Sequence, residues 1–245
     1  MKKKKIVIVG GVAGGSSAAA RLRRLDEHAE IVLFERGEYI SFANCGLPYY
    51  IGGVISEREN LLVVKPELMK QRFNIDVRLS SEVLAIDRDA KTVRVHDSRN
   101  NNEYSEPYDN LILSPGASPI RPPIPGIQSP KIFSLRNIPD TDAIKAAIDA
   151  NGAKRAVVVG GGFIGLEMVE NLQHRGLQVT LVEMAPQVMA PLDFEMAAIV
   201  HQHLQMKDVE FYLNDGVKEF SDDESGIETV LSSGRTISAD IVILA

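Results

Sequence analysis

One pattern is written twice in this chain, and it leaves few folds open. The first copy is KIVIVGGVAGGSSAAARLRRLDEHAEIVLFERGE, residues 5–38, and the second is RAVVVGGGFIGLEMVENLQHRGLQVTLVEMAP, residues 155–186. Each has a short β-branched run, a glycine turn, a helix-like stretch, a second apolar strand and a terminal acid. The distance from first glycine to acid is nearly equal, Gly10 to Glu35 and Gly160 to Glu183. The strands are continuously apolar rather than alternating, which predicts parallel sheets covered on both faces. Two such βαβ units predict an α/β fold with two Rossmann-like dinucleotide-binding domains.

The glycines carry a stated chemistry. A pyrophosphate needs backbone N–H donors at a helix start and no side chain in the way. The second copy has the full pattern, Gly160, Gly162 and Gly165 in GGGFIG, directly after AVVV. In the first copy, GGVAGG, Gly10 and Gly15 hold the outer positions and Val12 the middle one. Glu35 and Glu183 can each accept from a ribose 2′-OH. No base follows Glu183 in VEMAPQ, which favours NADH over NADPH there.

Between the copies, IDVRLSSEVLAIDRDAKTVRVHDS alternates more strongly and predicts an antiparallel β-meander over roughly residues 76–105, carried by the first domain. YDNLILSPGASPIRPPIPGI gives a strand and then a proline-rich linker near residues 116–130. The expected domains are thus 1–117 and 118–245. DTDAIKAAIDAN and DFEMAAIVHQHLQMKD predict helices, the tail after Val209 predicts short strands, and SDDESG at 221–226 a solvated turn. A net charge of −6 argues against nucleic acid as the main partner. The apolar run Ile6–Val9 is too short for a signal peptide, and no stretch is long enough to span a membrane. A single cysteine forbids an intrachain disulfide and fits a reducing, cytoplasmic setting.

That cysteine, Cys45 in SFANCGLPYY, is either a packed small hydrophobe or a thiol doing chemistry with an external partner. The stretches VGGVAGGSSAAARLRRLD, FERGEYISFANCGLPYYIGG, LILSPGASP, SLRNIPDTDAI and VVVGGGFIGLEMVENL decide the matter. Through them the chain resembles the N-terminal half of the FAD-dependent pyridine nucleotide–disulfide oxidoreductases, and within these the single-cysteine coenzyme A disulfide reductases and NADH-dependent persulfide reductases. The resemblance implies FAD on the first βαβ, NADH (or NADPH) on the second, and Cys45 as redox nucleophile. It implies FAD contacts from Gly10, Val12, Ala13, Gly14, Gly15, Glu35, Arg36, Asn44, Val83 and the closing residues Ser114, Pro115 and Gly116. For the nicotinamide nucleotide it implies Gly160, Gly162, Phe163, Ile164, Gly165, Glu167 and Glu183. Coenzyme A disulfide, a persulfide or a similar small thiol compound is the implied substrate, met by Ser17, Arg21, Arg24, Ser41, Asn44 and Arg72. A solvated basic face is the plain alternative for the arginines.

Pro48 points to a helix start beside Cys45, which would favour the thiolate. Oxidases and peroxidases of the family, which cycle a cysteine sulfenic acid, carry a histidine in the first glycine loop. Here Ala13 holds that position, which favours disulfide or persulfide chemistry. Family members form homodimers and continue with a second flavin motif and a dimerisation domain. Neither is in this sequence, so an inactive nucleotide-binding fragment is the third reading.

Overall fold

A computed structural model describes residues 3–223 and 226–245. They form two compact units, residues 1–43 with 59–117, and residues 44–58 with 118–245. The expected first domain is therefore interrupted, because the segment carrying Cys45 packs with the second unit.

In the first unit the chain runs β1 (Lys5–Val9), α1 (Ala13–Leu25) and β2 (Glu30–Phe34). A short helix α2 (Leu47–Ile51) belongs to the other unit, and α3 (Pro66–Phe73) returns to the first. β3 (Asp76–Arg78), β4 (Ser81–Asp87), β5 (Thr92–Asp97), β6 (Asn102–Pro107) and β7 (Asn110–Leu113) complete it. β3, β2, β1 and β7 make a parallel sheet in that order, and β4–β6 an antiparallel meander. The meander thus covers residues 81–107. Residues 76–78, expected in it, instead pair in parallel with β2, because Val77 packs with the apolar cluster on the sheet's helix-covered face.

Both faces of the sheet are used. Ile6, Ile8, Ile31 and Leu33 pack beneath the helices with Ala19 and Met69. Val7, Val32 and Phe34 point the other way, onto Val93 and Val95 of the meander. Two-sided burial explains the unbroken apolar runs in the strands. At the meander face Glu106 is buried and paired with Lys5 and Arg78. Burial alone would raise this carboxyl, but hydrogen bonds from Lys5 and Arg78 overcome that and hold it below the ordinary glutamate value.

The second unit repeats the plan. β8 (Ile132–Ser134) and α4 (Ile138–Asn151) precede β9 (Arg155–Val159), α5 (Phe163–His174), β10 (Gln178–Val182), α6 (Phe194–Met206) and β11 (Glu210–Tyr212). A second meander, β12 (Val217–Asp223), β13 (Gly226–Leu231) and β14 (Thr236–Ala239), leads to β15 (Ile241–Leu244). The sheet order is β11-β10-β9-β15-β8, parallel throughout. The repeat therefore extends well past βαβ, to a third strand, a meander and a fourth strand in each unit. α4 starts at Asn137, whose side chain accepts from the Asp140 N–H, while Asp140 accepts from the Asn137 N–H.

Two expectations need correction. The proline-rich stretch is not a free linker in its second half: Ile127 is buried, and the Phe220 N–H donates to the Pro125 carbonyl at 2.9 Å, so residues 124–127 belong to the core of the second unit. Within 221–226, residues 221–223 extend β12 and Gly226 opens β13; the expected turn at 224–225 lies outside the described residues.

Candidate functional site

β1 ends on Gly10, at φ +95°, and a Cβ there would lie 2.0 Å from the Ser114 carbonyl oxygen. Only glycine accepts both the backbone and the approach. At Gly15 a Cβ would lie 1.7 Å from the Gly10 oxygen, so this glycine lets α1 close onto the turn. Val12 caps α1 without a side-chain hydrogen bond, and Ala13 and Gly14 are exposed at its open first turn. The Glu35 carboxylate accepts from the Gly11 N–H at 2.7 Å and the Gly37 N–H at 2.8 Å. Beside it lies a cavity of about 110 Å³ that gathers Gly10, Glu35, Arg36, Val83 and Pro115, all expected at one cofactor. Val9, Phe34, Ser81 and Glu82 line it too. Sequence reasoning missed these four; the signal for Ser81 and Glu82 was Val83, their neighbour on β4. Ser114 is joined to Val9 by its N–H at 2.8 Å, and Gly116 turns at φ +70°.

The second unit repeats this geometry bond for bond. Gly160, at φ +111°, would carry a Cβ 2.4 Å from the Ala245 carbonyl oxygen, and Gly165 one 1.9 Å from the Gly160 oxygen. Glu183 accepts from the Gly161 N–H at 2.6 Å and the Ala185 N–H at 2.7 Å. At Gly162 nothing lies within 4 Å of a Cβ, and Phe163 and Ile164 are exposed at the start of α5. Glu167 lies one turn further on. Burial, and then the charge of Glu170, pushes its carboxyl above the usual range.

Cys45 is exposed, on a 3-10 turn (Asn44–Gly46) that runs straight into α2. That exposure answers the packing question: the thiol is not a core residue. α2 has five residues, so its dipole is that of little more than one turn. Four of its residues, Leu47, Pro48, Tyr50 and Ile51, are buried. The Tyr49 hydroxyl is pushed up, first by the charge of Glu170, then by burial, Glu167 and Cys45. Asn44, expected at both cofactor and substrate, falls in the same segment. Its Oδ1 is buried with no hydrogen-bond partner among the described residues.

The basic helix sorts itself. Ser17, Arg21 and Arg24 are exposed along one stripe of α1 at spacings of four and three. Arg23 is not part of it, since its guanidinium donates to the Phe73, Asn74 and Glu27 carbonyls. Ser41 stands at φ +46°, its N–H on the Gly11 carbonyl at 3.0 Å. Arg72 is exposed near the end of α3, its guanidinium 5.7 Å from the Phe73 ring centre. His201, on α6, accepts from the Val188 N–H at 3.1 Å.

The described residues thus present two glycine-turned βαβ units and an exposed thiol. The chain belongs to the pyridine nucleotide-disulphide oxidoreductase family, whose model matches residues 4–245. It is 42% identical over 203 residues to a coenzyme A disulfide reductase of Staphylococcus haemolyticus (strain JCSC1435), covering 83% of this chain and 46% of that protein. The chain spans about half the length of the curated relatives it matches. The crystal structure of reduced Bacillus anthracis CoADR-RHD superposes with a TM-score of 0.97 at 57% identity, covering 100% of this chain and 44% of that one. The NAD-dependent persulfide reductase from A. fulgidus gives 0.94 at 37% identity, covering 98% and 45%. Among the described residues no helix is long and apolar enough to cross a membrane.

Proposed function

We propose that this chain carries the nucleotide cradles and the redox thiol of a flavin-dependent NADH reductase of coenzyme A disulfide or persulfide. The observation that carries the reading is Cys45, the one cysteine of the chain, exposed on a built turn in a protein with two dinucleotide cradles. FAD suits the first cradle: the Gly10 turn, the open start of α1, Glu35 and the cavity with Arg36, Val83 and Pro115 are all in place. NADH suits the second, where the space beside Gly162 leaves room for a pyrophosphate. Glu183, held by two backbone N–H groups, meets a ribose hydroxyl better than a 2′-phosphate.

When bound, FAD accepts an electron pair from NADH and supplies it to sulfur. Cys45, as thiolate, attacks the disulfide: its Sγ bonds one sulfur, and the other leaves as a thiol after taking up a proton. Two electrons then cleave this mixed disulfide, releasing the second thiol and restoring the Cys45 thiolate. Each turnover consumes one NADH and one proton. Ser17, Arg21 and Arg24 offer the phosphates of a coenzyme A compound one hydroxyl and two cations. Homodimerisation is part of this proposal.

The experiment measures NADH consumption with coenzyme A disulfide, coenzyme A persulfide, peroxide and oxygen. Turnover of the sulfur substrates, lost in Cys45→Ser while flavin is retained, is expected. Activity retained in Cys45→Ser refutes the scheme. Rapid peroxide or oxygen consumption instead favours the oxidase reading, which the similarity to the water-forming NADH oxidase from Lactobacillus brevis keeps open, at a TM-score of 0.93 and 32% identity over 99% of this chain and 53% of that one.

A further inference from the structure

The segment bearing Cys45 is docked on α5, the helix that opens at the Gly162 turn. Gly52 caps α2, and a Cβ there would lie 2.1 Å from the Asn171 Oδ1 and 2.9 Å from its Cβ. Asn171 is 1% exposed, and its Nδ2 donates to the Glu167 carbonyl at 2.8 Å. Its carboxamide is therefore held by its own helix and pressed against the bare backbone of Gly52. One turn on, the Arg175 guanidinium donates to the Ile51 carbonyl at 2.9 Å and pairs with Asp149. Arg58 closes the far end of the segment with a two-pronged contact to Asp142 of α4, at 2.9 and 2.7 Å. Gly46, between Cys45 and α2, is itself right-handed, at φ −84° and ψ −15°, so the 3-10 turn and α2 form one continuous coil. Gly52 and Cys45 are thus joined through that coil.

The geometry points to Asn171 as a positioning residue for Cys45: its buried carboxamide, fitted against Gly52, sets the turn that presents the thiol. The inference rests on Cys45 as the redox thiol. It adds that the helix of the nicotinamide cradle holds that thiol in place. Glu167, whose carbonyl orients Asn171, and Glu170, whose charge acts on Tyr49, lie on the same helix.

The test uses the full-length protein and four forms: wild type, Gly52→Ala, Asn171→Ala and the double variant. The first readout is the rate at which iodoacetamide alkylates Cys45, followed on its own peptide by mass spectrometry. The others are NAD⁺ affinity, and kcat and KM for NADH. Gly52→Ala pushes α2 off Asn171; misplacing a reacting group by about 1 Å is expected to cost about tenfold or more. The alkylation rate and kcat should change on that scale, with NAD⁺ affinity and KM for NADH kept. Removing the carboxamide relieves the 2.1 and 2.8 Å approaches and leaves only the one of 2.9 Å to the Asn171 Cβ, so the double variant should move back toward the alkylation rate of Asn171→Ala. An alkylation rate in Gly52→Ala equal to wild type overturns the inference, as does a double variant no closer to Asn171→Ala than Gly52→Ala is. If Gly52→Ala does not fold, Asn171→Ala decides alone, and an unchanged alkylation rate sinks the idea. Alkylation needs no turnover. A wild type that alkylates as expected but reduces neither disulfide nor persulfide refutes the proposed function and leaves this inference standing.

Discussion

Two glycines of the second cradle, three residues apart, are expected to fail in different ways. Gly165→Ala places a methyl 1.9 Å from the Gly160 oxygen, where real contacts stay above 3.0 Å. The atom met is backbone in a tight turn, so α5 must withdraw by more than an ångström and loosen Met168 and Leu172, which are fully buried. Overpacking of this kind costs about 1–3 kcal/mol. At ~2–4 °C per kcal/mol for a chain of this size, melting should fall by about 2–12 °C. Gly162→Ala meets nothing within 4 Å, at an ordinary φ of −79°. Its stability should stay within about 0.5 kcal/mol of wild type. The methyl does enter the space left for a pyrophosphate, and NADH affinity should drop about tenfold, or ~1.4 kcal/mol. Calorimetry and NADH titration separate the two. Equal losses of melting temperature would refute the steric reasoning, and unchanged NADH affinity in Gly162→Ala would show that the empty space has no ligand to serve.

Three more outcomes are expected. Glu106→Gln leaves Lys5 and Arg78 facing a neutral group and should cost about 3 kcal/mol in denaturant unfolding. Because the folded carboxyl lies below its unfolded value of about 4.3, the stabilisation is present above that pH and fades as pH falls through the folded value; a wild type and a Glu106→Gln variant with identical acid-unfolding curves would contradict this. Arg21→Ala with Arg24→Ala should raise KM for coenzyme A disulfide and leave KM for NADH alone, since neither arginine belongs to the second glycine turn or its acid; steady-state kinetics with each substrate varied will tell. Glu35→Gln and Glu183→Gln each keep one acceptor for two N–H donors, so each should cost about 1–3 kcal/mol without any nucleotide present, and melting curves that overlay wild type would reject the brace.

The cradles were legible because their constraints are local. A positive φ, a close approach and an unbroken apolar strand each leave a mark within a few residues, which is why Gly10, Gly160 and the four core strands of the two copies could be read directly. The meander was harder. β3 has only three residues and is followed after two by β4, so the alternation of one runs into the other, and the choice between parallel and antiparallel partners is made by Val77 packing with the first sheet's apolar cluster. Least legible was the affiliation of the cysteine. Nothing in SFANCGLPYY announces that its turn packs with the second unit; that depends on Gly52 meeting Asn171 across more than a hundred residues of chain. Val12 is the converse case. It breaks the glycine pattern at the cap of α1, where its ψ of −106° differs from the −170° of its counterpart Gly162.

The same logic explains why both copies end in glutamate. Each carboxylate uses one oxygen to brace the glycine turn and the other to brace the loop that follows its strand, and the strand backbone is tied on by equivalent bonds, Glu35 N–H to Arg78 and Glu183 N–H to Tyr212. An ionised carboxylate has spare lone pairs after two such bonds, so the brace and a ribose contact are compatible in one side chain. The acid therefore has a structural duty before any nucleotide arrives, and a substitution that keeps its shape but not its second acceptor separates that duty from recognition.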